Sequence, residues 1–296
     1  MERIGDVIRN GAYTWMQNPV LCAPFLINAI AQVMFSIVVL AGVAIAIGTD
    51  AFTQIASSIS DFMIVVQYAD ELPTGIMYEL YQLITPFIRV FVAAAIVLVI
   101  GCTLIRTFFM AGAIGMAKAA TMVGTTGLHD LLRHGRQSMI SLFLANIAIS
   151  LMFLLGIVFL VPGAVMAQMT DNIGVPLIIL FMGILLFIIY IIILSLGMTP
   201  VQYALVIDHL GAIEGIEKGW SFFLDHKFDV FLICVLMIGI AMFTGLIGIV
   251  FYTHPVSAAI WRFVDVLINL CIVLPLTTAW WTRLYMEREG ATPGHH

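Results

Sequence analysis

Residues Gly174–Met198 read GVPLIILFMGILLFIIYIIILSLGM, an unbroken apolar stretch without one charged side chain. About 20 such residues wound as an α-helix match the thickness of a bilayer's hydrocarbon core, and only a helix satisfies its own backbone groups there. Working outward, five further runs have the same character: Pro24–Ile47, Pro86–Ala111, Met139–Val161, Val230–Tyr252 and Ala258–Trp281. The chain is 62% hydrophobic and 10% charged. A soluble domain carries about 25% charged residues and could not hide this much apolar surface. The expectation is therefore an all-α, polytopic membrane bundle of six transmembrane helices, one transmembrane domain over residues 1–296.

Six spans place both termini on one side. Arg3, Arg9, Arg106, Lys118, Arg133, Arg136, Lys218, Lys227, Arg283 and Arg288 lie on that side, leaving Arg89 and Arg262 toward the other. Cytoplasmic loops collect Lys and Arg, so both termini are expected to be cytoplasmic in a multi-pass cell-membrane protein. Trp15, Trp220, Trp280 and Trp281 cluster at the same ends and read as an interfacial aromatic belt. The segment 48–85 has no Lys or Arg but contains Asp50, Asp61, Asp70, Glu71 and Glu79. Within it Phe52, Ile55, Ile59, Phe62 and Val66 recur at helical spacing opposite Gln54, Ser57, Ser58 and Asp61, which predicts an amphipathic outer helix over 51–69.

Three stretches on the terminal side overlay without gaps: IGDVIRNG (4–11), LHDLLRHG (128–135) and AIEGIEKG (212–219). Each reads apolar, any, acidic, any, apolar, charged, polar, glycine, and a pair of spans follows each. This pattern predicts three repeats of an amphipathic elbow plus a helical hairpin, with units near 1–111, 112–199 and 200–290. Asp6, Asp130 and Glu214 suit the first turn of a helix, where a carboxylate complements the positive end of the macrodipole. Gly11, Gly135 and Gly219 can admit a close helix crossing or loosen the elbow. The arrangement resembles the membrane domain attached to some glycerophosphodiester phosphodiesterases and its stand-alone, uncharacterised prokaryotic relatives. The resemblance is carried by PVQYALVIDHLGAIEGIEKGW (200–220), echoed by AKAATMVGTTGLHDLLRHGR (117–136). It implies that hydrolysis in the fused proteins belongs to a separate soluble metal-dependent domain, which these residues do not supply.

Polar side chains inside spans are the natural place to seek function, because hydrocarbon penalises them unless they are partnered. Asn28, Gln32 and Ser36 share one face of the first span, and Asn146 and Ser150 repeat the spacing in the third. They read as interhelical hydrogen bonds or as a polar path or ligand face. Arg89, Arg262 and Asp265 form a candidate outer charged cluster, with Asn269 on the same face and Pro275 interrupting the helix further in. His129, Asp130, His134, Asp208, His209, Glu214 and His226 invite a metal, but no ligand spacing such as HExxH occurs. Neither GxSxG, a phosphate-cradling GxxxxGK[ST] nor a Rossmann glycine pattern is present, so no catalytic site, metal or cofactor is expected.

Met1–Asn18 carries Glu2, Arg3, Asp6 and Arg9, unlike a secretory signal peptide, and is expected to remain in the mature protein. Cys22, Cys102, Cys234 and Cys271 have neither zinc nor redox spacing. A net charge of −5 without a basic run excludes nucleic acid as partner. His295 and His296 look like a tag remnant and carry no argument. Gly42 with Ala46, and Gly239, Gly245 and Gly248, read as close-packing positions that can also serve a homo-oligomer or a membrane partner protein. Two classes of function follow: a membrane-handling protein (channel, transporter or lipid-interacting module), or a scaffold or accessory subunit recruiting partners. The lipid bilayer is the partner common to both.

Overall fold

The computed structural model describes residues 2–68, 74–169, 174–251 and 255–290. Ala69, Asp70, Glu71, Tyr252, His295 and His296 lie outside them. The helices in order begin with α1 (Ile4–Gln17), α2 (Ala23–Ile47), α3 (Thr49–Tyr68), α4 (Thr74–Ile84) and α5 (Ile88–Val123). After these come α6 (Leu128–Leu155), α7 (Val161–Met169), α8 (Gly174–Met198) and α9 (Val201–Ile207). The chain closes with α10 (Ala212–Asp225), α11 (Lys227–Phe251), α12 (Pro255–Ile268) and α13 (Leu274–Arg288). Among the described residues the fold is all-helical, and six helical stretches are long and apolar enough to cross a membrane: Pro19–Ile47, Gly75–Val123, Leu128–Met169, Gly174–Ile207, Lys227–Phe251 and Val256–Arg288. These are the features of a multi-pass membrane protein.

The chain divides into two compact units, Asn28–Arg106 and the remainder, Met1–Ile27 with Thr107–His296. In the smaller unit, Val43, Ile47 and Ile55 make a buried cluster, with Phe52, Leu83, Phe87 and Phe91 packed against it. The apolar face of α3 is thus used only at its start, since Ile59 and Val66 are exposed.

The core of the larger unit lies in the helix ends near the chain termini. Every residue of α9 except Gln202 is buried, as is Thr277–Met286 of α13. What draws these segments together is the absence of Cβ atoms at helix crossings. A Cβ on Gly219 of α10 would lie 2.6 Å from Val201 Cα, and one on Gly135 of α6 would lie 2.9 Å from the Phe108 carbonyl oxygen of α5. On Gly11 of α1 it would meet the Trp280 ring of α13 at 2.6 Å. One turn along, the contacts are complementary: Leu131 of α6 sits over Gly112 of α5, whereas Gly215 of α10 receives Leu205 of α9. At each position one partner is glycine, so backbones approach closely and van der Waals contact replaces the hydrophobic drive that lipid cannot supply.

Several expectations about packing change. Trp280 and Trp281 are not an interfacial belt: both are buried, Trp280 donates its indole N–H to the Ile8 carbonyl at 2.9 Å, and Trp281 donates to Met237 Sδ at 3.3 Å. Their rings fill the space between helices, and each N–H finds an acceptor there, as a buried indole requires. Gly42, Gly239 and Gly245 have nothing within 4 Å of where a Cβ would stand, so they are not close-packing positions. The third and fourth spans instead lock through Gly163 against Leu180, Gly183 against Phe159, and the Tyr190 hydroxyl on the Met152 carbonyl at 2.6 Å.

Pro275 acts before its own position. A proline has no N–H for the carbonyl four residues back and pushes its ring against it. Here the chain widens into a π turn over Asn269–Val273, and the released Cys271 carbonyl accepts a hydrogen bond from Cys22 Sγ at 2.8 Å.

Gly219→Ala should lower the thermal unfolding temperature in detergent, by about 1–3 kcal/mol of overpacking. Gly239→Ala, which enters open space, should leave it unchanged or raise it slightly, since alanine favours helix. Equal losses for the two would refute the crossing account.

Candidate functional site

The polar groups of the terminal end form two clusters around α9 and α13. In the first, Arg283 binds Glu2 through two hydrogen bonds, Nε to Oε2 at 3.0 Å and Nη2 to Oε1 at 2.6 Å. Arg288 reaches Asp229 at 2.7 Å and the Glu2 carbonyl at 3.1 Å. A fork-to-carboxylate pair of this kind is directional as well as charged, and it fastens the segment before α1 to α13.

The second cluster is built on the turn that ends α9. Asp208 accepts from the Tyr285 hydroxyl at 2.6 Å and pairs with Lys218 at 2.7 Å, while Lys218 also reaches Glu289 at 3.1 Å. The Asp208 bond, joined by Glu289, holds Lys218 above its ordinary range despite partial burial. The next residue, His209, has φ 56°, in the left-handed region that a non-glycine residue rarely occupies. Its ring stacks on that of His134 with centroids 5.8 Å apart and planes 4° from parallel. On the far side, the His134 ring occupies the space that a Cβ on Gly115 would take. Lys118, one turn along α5 from Gly115, donates to the Ile207 carbonyl at 2.8 Å. Desolvation, with Lys118 and Arg133 close by and Asp208 opposing, holds His209 below the ordinary imidazole value of 6.5.

The three acidic elbow positions act at helix starts. Asp130 Oδ2 accepts from the Gly127 N–H at 3.1 Å, and Glu214 Oε2 from the Gly211 N–H at 3.3 Å, each closing the first turn from its third residue. Asp6 pairs instead with Arg9 at 3.1 Å.

Gln32 Nε2 donates to Asn28 Oδ1 at 3.0 Å within α2, and Ser150 donates to the Asn146 carbonyl at 2.7 Å within α6. Asn28, Gln32 and Ser36 are half-buried and belong to the smaller unit; Asn146 and Ser150 belong to the larger. Asp265 is engaged by Asn269 Nδ2 at 3.3 Å, beside Arg262 in the larger unit, whereas Arg89 lies in the smaller. Arg89 stands at an open groove of about 480 Å³ whose other lining residues are Val39, Gly42, Val43, Val90, Ala93, Ala94 and Val97. Sequence reasoning missed this groove. Its signal was the openness left by Gly42 and the alanines beside an isolated arginine. Among the described residues no group of three or more His, Cys, Asp or Glu side chains is arranged to hold a metal ion.

Comparison with known proteins places this architecture in a family. A family model described as a domain of unknown function (DUF7847) matches residues 3–279, so the chain belongs to that family. The chain is also similar to an uncharacterized protein of Archaeoglobus fulgidus, 24% identical over 308 aligned positions covering 97% of this chain and 96% of the relative. No solved structure matches.

The His209 shift has a definite sign. A histidine whose folded pKa lies below its unfolded one leaves the unfolded state binding more protons, so stability falls as pH drops through about 6.5. Thermal unfolding in detergent should show His209→Asn losing less stability than the wild type between about pH 7.5 and pH 5.5, since asparagine tolerates the left-handed backbone and does not titrate there. Identical pH slopes would refute it.

Proposed function

We propose that this protein is a non-enzymatic, lipid-interacting membrane module whose binding surface is the groove beside Arg89. The observation that carries the reading is chemical contrast: a groove with apolar walls and a single cation, Arg89, at its lining. Arg89 is exposed and forms no ion pair among the described residues. An acyl chain matches the walls, and an anionic headgroup matches the guanidinium. For the permeation alternative, Asn28 and Gln32 bond to each other and Ser150 to its own helix, which accords with a packing role. The scaffold reading has no such specific feature.

In this reading the chain is three repeats of elbow plus hairpin, and both termini are cytoplasmic. The repeat is supported by the crossings at Gly11, Gly135 and Gly219, where equivalent positions of the three elbows meet the terminal-side ends of even-numbered spans. The orientation is supported by ten basic residues on the terminal side against two on the other. The likeness of residues 200–220 to the phosphodiesterase-linked membrane domain accords with a lipid role.

Native mass spectrometry of the full chain released from nanodiscs tests the groove. Wild type should retain phosphatidylglycerol over phosphatidylcholine. Arg89→Gln should weaken the anionic lipid by about fivefold, the effect of one interfacial cation. Gly42→Phe should weaken both lipids by filling the groove. Retention indifferent to both substitutions would overturn the assignment.

A further inference from the structure

A separate site emerges at the terminal end, where Lys118, His134 and His209 converge from three segments distant in the chain, with Arg133 next to His134 on α6. We infer that these four side chains form a binding site for a phosphoryl anion, whether a free phosphate or the phosphodiester of a lipid headgroup. The geometry is a closed circuit. The His134 ring lies on Gly115 of α5, Lys118 stands one turn from Gly115 and donates to the Ile207 carbonyl, and two residues on, His209 turns back to stack on His134. Arg133 precedes His134 on α6, and both it and Lys118 act electrostatically on His209.

What makes this circuit a site is that the nearby carboxylates, though they act electrostatically on its histidines, hydrogen-bond to other groups. Two carboxylates are near, and each is committed elsewhere. Asp130 Oδ2 accepts from the Gly127 N–H and, at 3.2 Å, from the Thr126 hydroxyl. Asp208 Oδ2 takes the Tyr285 hydroxyl and Lys218. Among the described residues neither Lys118 nor Arg133 forms an ion pair, and His134 Nδ1 is a buried nitrogen without a hydrogen-bond partner. Like charges are destabilising where they are gathered, and a buried donor left unmade costs free energy. An anion with several acceptor oxygens relieves both at once, because a phosphoryl group accepts from ammonium, guanidinium and imidazole together. His209 is suited to the part: the bend at φ 56° turns its ring onto His134, and a bound anion would oppose the desolvation that holds its pKa below the ordinary value.

The site is independent of the groove, which lies in the other unit. The test uses the full chain in detergent and in nanodiscs. Inorganic phosphate, titrated at constant ionic strength against chloride, should raise the unfolding temperature by mass action, and the imidazole NMR resonances of His209 should shift along the same titration. Arg133→Gln, which changes an exposed side chain, should weaken phosphate binding by about tenfold, the effect of losing one charge-assisted hydrogen bond. Lys118→Gln, which removes the ammonium, should act likewise. The lipid arm is run in Arg89→Gln so that the groove does not contribute: native mass spectrometry compares retention of phosphatidylglycerol and phosphatidylcholine with and without Arg133→Gln. A response to phosphate alone identifies a soluble phosphoryl ligand, and a response to anionic lipid alone identifies a headgroup. No response to either, or responses that Arg133→Gln and Lys118→Gln leave intact, would overturn the proposal.

Discussion

The approach of one helix backbone to another at Gly11, Gly135 and Gly219 sets the arrangement on which the terminal end depends. Lipid tails are as apolar as leucine, so helices in a bilayer gain little by hiding leucine from lipid and must gain instead by fitting closely. Once the elbows are seated, α9 is buried at every position but Gln202, and its polar termination has to be met within the protein. Asp208, Tyr285 and Lys218 meet it, and the left-handed turn at His209 follows from the short return to α10. The chemistry of the basic cluster is thus a by-product of packing geometry. His134 lies where it does because Gly115 leaves room for its ring.

The six spans were legible because hydropathy and length act locally, and so was the helical character of 51–69, which runs over Thr49–Tyr68. The elbows were legible as a pattern, and their glycines as candidate crossings. Their partners were not. The echo drawn between residues 117–136 and 200–220 equates Ala117 with Val201 when the two elbow glycines are aligned, yet Gly135 crosses Phe108, because α5 runs on to Val123 before turning. A linear overlay holds the elbow in register and loses the span that it meets.

The sites show the same division. Polar residues spaced along one helix face read equally as a lining or as a packing surface, and spacing alone does not decide between them; Asn28 and Gln32 bond to each other. Tryptophans near span ends looked interfacial, but the segment Thr277–Met286 is the middle of a core. The basic cluster joins residues 118, 133, 134 and 209, which become neighbours only after two crossings have formed, so no window of sequence contains it. The glycines of AGAIGMA (111–117) were the one local sign that α5 would accept other helices against it.

The seat of α1 carries a consequence for how the chain is made. Gly135 and Gly219 meet partners that leave the ribosome shortly before them, so those elbows can dock as they emerge. Gly11 meets Trp280, and Glu2 meets Arg283, near the other end of the chain. Helix α1 is therefore made long before the segment that seats it. Until the final span arrives, its apolar face must be sheltered by the membrane surface or by another protein, because contacts between distant parts of a chain form late and leave surface exposed meanwhile. A chaperone or insertase would meet this protein with α1 still undocked.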